Sequence, residues 1–142
     1  MTHENKKDFA KKHPADEIDE TLSKIITEKA VDQRITCHAA HDIAEMTGTC
    51  PADIGKQIDL VGYRLTKCQL GLFGYKNKKK LNPEIDIPPE LNQKIDAAAV
   101  EGRISCLSCW EIAQNFDLHR LFVSSACEKK GLRIKPCQLG AF

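Results

Sequence analysis

The chain has 142 residues, a net charge of +1, 42% hydrophobic side chains and seven cysteines. That is the composition of an ordinary soluble globular protein. No apolar run approaches the roughly 18 residues of a membrane span, and the start, Met1-Thr2-His3-Glu4-Asn5-Lys6-Lys7-Asp8, lacks the apolar core of a signal peptide. A cytoplasmic location is therefore expected, where thiols stay reduced. Seven cysteines there point to buried thiols, metal ligands or redox chemistry rather than a disulfide framework.

Residues 1–13 read as a basic, flexible arm, with Lys6, Lys7, Lys11 and Lys12 against Glu4 and Asp8. A first helix follows. Ile18, Leu22, Ile25, Ile26 and Ala30 form one stripe of a 3.6-residue period. Asp16, Glu17, Asp19 and Glu20 place negative charge at its N-terminal turn, where the helix dipole favours it. Arg34-Ile35-Thr36-Cys37 is too short for a helix and reads as a strand. A second helix is expected over 39–46, a turn at Thr47-Gly48-Thr49-Cys50-Pro51, and a third helix over about 52–61. Gly62 stands where a helix end wants a left-handed residue. Residues 63–68 then read as a strand.

Residues 76–82 contain Lys76-Asn77-Lys78-Lys79-Lys80 and read as a linker, or alternatively as a segment that tracks phosphates. Beyond it the chain repeats itself at an offset of 69 residues. Arg34-Ile35-Thr36-Cys37 recurs as Arg103-Ile104-Ser105-Cys106. The tail Cys68-Gln69-Leu70-Gly71-Leu72-Phe73 recurs as Cys137-Gln138-Leu139-Gly140-Ala141-Phe142. About eighteen of some sixty aligned positions are identical. A repeat of this length is a duplicated small domain rather than a solenoid unit. The expected organisation is thus a mainly α protein of two tandem three-helix modules, 14–75 and 83–142, each with a small two-stranded β element. In the second copy the first helix carries the stripe Leu91, Ile95, Ala98 and Ala99 with Pro88 and Pro89 in its first turn, and the others fall over 108–116 and about 120–130.

The order helix, strand, helix, turn, helix, strand resembles a winged helix-turn-helix module with a reduced wing. Ala44, Gly48 and Ile54 match the spacing of bacterial helix-turn-helix domains, and so do Ala113, Asp117 and Val123. Phe116 and Leu118 flank the second turn as core residues. Asp117 replaces the usual glycine, and Thr47 stands where a larger apolar residue is common. The Cys-Gln-Leu-Gly-x-Phe tail is similar to the ending of uncharacterised bacterial proteins of helix-turn-helix type. The resemblance implies a transcriptional regulator that places its third helix in the major groove of duplex DNA.

On that reading module 2 is the main DNA contact. His119, Arg120, Ser124 and Ser125 would face the groove, and Lys129, Lys130, Arg133 and Lys135 would meet phosphates. Lys56 is the candidate on module 1, whose third helix also carries Asp53 and Asp59 and so suits a polyanion poorly.

The alternative is a non-enzymatic adaptor that binds a protein partner or a metal through the repeated Arg-Ile-x-Cys and Cys-Gln-Leu-Gly segments. Cys37, Cys68, Cys106 and Cys137 are the cysteines present in both copies, and four thiolates would suit zinc or an iron–sulfur cluster. Cys106, Cys109, Cys127 and Cys137 form a second candidate set, although Cys127 aligns with Ile58 and fits a small buried residue. No resident cofactor is otherwise indicated. No phosphate loop, nucleophile set or carboxylate pair calls for catalysis, so no enzyme is expected.

Overall fold

A computed structural model describes residues 17–75, 81–82 and 84–141. The basic arm and the run Lys76–Lys80 lie outside the described residues. The protein is mainly α. In chain order the elements are α1 (Glu20–Lys29), β1 (Arg34–Thr36), α2 (Cys37–Thr47), α3 (Pro51–Leu60), β2 (Arg64–Thr66), α4 (Pro89–Ala98), β3 (Arg103–Ile104), α5 (Cys106–Asn115), α6 (Arg120–Lys129) and β4 (Arg133–Ile134).

These elements form two compact units that do not follow the repeat boundaries. Unit 1 runs to Cys68 and takes in Leu139–Ala141, while unit 2 comprises Gln69–Gln138. Each unit therefore contains the tail of the other repeat.

In unit 1, Leu22 and Ile26 of α1 meet Ile35, Ile43, Ile54 and Ile58 in a buried core. Ile18, expected in the stripe, is 48% exposed because α1 starts after it. The start of α1 is fixed twice. Asp19 accepts from the Leu22 amide at 3.0 Å, and the Asp19 amide donates to Gln57 Oε1 at 2.8 Å. Gln57 also donates from Nε2 to the Glu17 carbonyl, so this polar side chain is buried with its groups satisfied. In unit 2 the core is Leu91, Ile95, Ile104, Ile112 and Val123 with Cys109 and Cys127.

The strands run straight into helices. Thr36 accepts from the Ala39 amide and Ser105 from the Ser108 amide, each at 3.0 Å, so α2 and α5 begin two residues earlier than the pattern suggests. Both β pairs are parallel, with Arg34 opposite Arg64 and Arg103 opposite Arg133. Parallel pairing follows from the connection, because two helices separate the strands of each pair. A wing built as a strand-loop-strand hairpin after the third helix is therefore not what these strands form.

The repeat is visible in the backbone as well. Positive φ recurs at the aligned pairs Asp32/Glu101, Gln33/Gly102, Gly48/Asp117, Gly62/Gly131 and Gly71/Gly140. Val31 and Arg34 exchange both backbone hydrogen bonds, as do Val100 and Arg103. With φ of +52° and +62° in the first turn and +52° and +78° in the second, these are type I′ turns. Asn-Gly is the preferred pair for such a turn. Glu101→Asn supplies it next to Gly102, and should stabilise unit 2 by about 0.5 kcal/mol in urea unfolding followed by Trp110 fluorescence.

Candidate polyanion-binding surface

The third helix of unit 2 is a core element rather than an exposed reading helix. Val123, Ser124, Ser125, Ala126 and Cys127 are all buried, five in succession and so more than one face of α6. Ser124 and Ser125 therefore do not face a groove, contrary to the sequence expectation. The Ser124 hydroxyl donates to the Leu70 carbonyl at 2.7 Å, and the Ser125 hydroxyl accepts from the Asn82 amide at 2.9 Å. Periodicity could not reveal this, because serine is as compatible with solvent as with a satisfied interior site.

The remaining candidates on α6 are mostly held by the fold. His119 caps the helix, its Nδ1 accepting from the Leu121 amide at 3.1 Å. Arg120 lies over the Trp110 ring, 3.5 Å from its centroid, and donates to Gln69 Oε1 at 3.1 Å. Lys129 donates to the Ile85 carbonyl at 2.7 Å. Lys130 pairs with Asp96 at 2.8 Å and also hydrogen-bonds Asn92. On α3, Lys56 sits 3.8 Å from Asp53 Oδ1. For Arg120 and Lys129 the partners, Gln69 and Ile85, come from segments outside the helices that belong to the same unit as α6, and Leu139–Ala141 belongs to the unit containing α3.

Cationic groups do gather elsewhere. Ile104 and Ile134 are buried, so the alternation of the strands turns Arg103, Arg133 and Lys135 to the outer side, where all three are exposed. Arg103 and Arg133 are direct partners across the parallel pair, and neighbouring strands lie about 4.8 Å apart. Among the described residues neither guanidinium forms a salt bridge. Like charges placed opposite each other are destabilising on their own. An anion between them reverses that sign, and a phosphate presents the oxygens that a guanidinium fork matches.

Beside Arg103 is an open groove of about 560 Å³ that also meets Lys135, Ser105, Ser108 and the acidic Glu101, with Val100 on its wall. Unit 1 repeats the pairing but not the full exposure: Arg34, exposed, and Arg64, half-buried and engaged in other contacts, are partners across β1 and β2, and Ile35 points inward. Of this set the DNA reading had named Arg133 and Lys135. Arg103, Arg34 and Arg64 were signalled only by being identical in both repeats at positions the core does not need.

Five of the seven cysteines are buried and Cys50 is exposed. Cys37, Cys68 and Cys106 are buried and Cys137 is half-buried, with Gln138 donating to Cys106 Sγ at 3.4 Å. Cys109 and Cys127 hydrogen-bond to each other. That bond and their burial push the Cys109 thiol well above its ordinary pKa, so it stays protonated. Among the described residues no three His, Cys, Asp or Glu side chains come together as a metal site. The repeated tails bury their leucines within the chain, Leu70 and Leu139 alike. Among the described residues no helix is long and apolar enough to cross a membrane. No protein-family model, curated protein or solved structure matches the chain.

Proposed function

We propose that this is a non-enzymatic DNA-binding protein of the kind used in transcriptional regulation. It grips the phosphate backbone through the outer faces of its two β pairs, not through a reading helix. The observation that carries this is the recurrence of two arginines side by side, Arg34 with Arg64 and Arg103 with Arg133, at aligned positions. Such contacts neutralise phosphates and release counterions, so affinity falls as salt rises. They fix position without reading base edges, which agrees with the covered α3 and α6.

The test is fluorescence anisotropy of a labelled duplex across a salt series. The double variant Arg103→Ala/Arg133→Ala should bind about tenfold more weakly, with a salt slope lower by about two. Unchanged affinity in that variant, or binding indifferent to salt, would overturn the proposal.

A further inference from the structure

The seat on α3 that receives residues from the far end of the chain is independent of the DNA reading. Leu139 is buried in unit 1, and its carbonyl rests directly against Gly55. The same seat exists on α6 of unit 2. Ser124 aligns with Gly55, and its hydroxyl donates to the carbonyl of Leu70, which aligns with Leu139. Gly71 and Gly140 follow these leucines with φ of +74° and +79°, so both tails leave their seats with the same backbone. The two seats use one design: a small residue on the third helix, a leucine buried beside it and a left-handed glycine next.

We propose that the seat on α3 also accepts the C-terminal segment of a second copy, so that two chains form a dimer by exchanging Leu139–Ala141. The occupant is fixed by chemistry already present, because a second copy offers the same segment in the same form. The contacts of Leu139 with its seat are remade in the exchanged dimer, which makes exchange a low-cost route to association. The closed chain is favoured by the effective concentration of its own tail, taken as of millimolar order. The units are joined at two points, 68–69 and 138–139. Lys67, next to the first, has φ of +49°, a left-handed conformation that an opened connection would release.

The full chain, unfolded in guanidinium, is refolded at about 10 µM and at about 1 mM, and its mass is read by light scattering after size exclusion. A monomer is expected at the lower concentration and a dimer at the higher one. A chain ending at Gln138, and the Gly55→Ala variant, should both stay monomeric at about 1 mM. Trp110, the one tryptophan of the sequence, lies in unit 2 and reports that this unit remains folded. A wild-type chain that is monomeric at both concentrations overturns the proposal. So does a truncated chain that dimerises as fully as wild type, since its association would use another surface.

Discussion

Gly55→Ala should destabilise unit 1 by about 3 kcal/mol and leave unit 2 nearly unchanged. Helix propensity alone predicts the opposite sign, because alanine in a helix interior is about 1 kcal/mol better than glycine. The packing reverses it. A β-carbon on Gly55 would overlap the carbonyl oxygen of Leu139, and its carbonyl carbon would lie only 2.7 Å away. The obstacle is backbone, so no side-chain rotation relieves it. The tail must leave its seat, exposing Leu139 and the face of α3 around Ile54 and Ile58. Urea unfolding followed by circular dichroism should become biphasic, with the Trp110 fluorescence transition unmoved. A single transition at the wild-type midpoint would show that the tail does not contribute to unit 1.

Arg120→Ala should cost unit 2 about 2 kcal/mol and leave duplex affinity within about twofold of wild type. The guanidinium is half-buried between the Trp110 ring and Gln69, so its removal takes away a cation–π contact and a charge-assisted hydrogen bond together. As a groove-reading residue it would show the reverse pattern, with unchanged stability and lost binding. Measuring both quantities on one variant therefore separates a reading helix from a core helix. Arg120→Lys should restore little, because a lysine ammonium cannot keep the planar stack and the fork at once.

Much of the fold was legible along the chain, because the relevant signals are local. The stripe through Leu22 and Ile26 and the glycines at 62 and 131 each act within a turn or two of their own position, whereas Thr36 and Ser105 read as strand in the sequence and their caps came from the structure. The offset of 69 residues announced a duplication, and the structure repeats it down to individual φ values. The site was less legible. Arg120, Lys129 and Lys130 have the composition of a DNA-contacting helix, and composition says nothing about what covers a helix. Arg120 is engaged by Gln69, fifty-one residues away, and Lys129 by the Ile85 carbonyl, forty-four residues away.

The sequence by itself determined the helices, the two short strands of each repeat and the fact of duplication, since periodicity, capping and glycine placement are properties of neighbouring residues. Only the tertiary structure decided that each tail belongs to the other repeat's unit, that α3 and α6 are covered, and that two arginines stand side by side on each β pair. The physical reason is that the two tails share Cys-Gln-Leu-Gly and each third helix offers a small residue, Gly55 or Ser124, beside the buried leucine. Nothing local to the tail states which helix will be its neighbour.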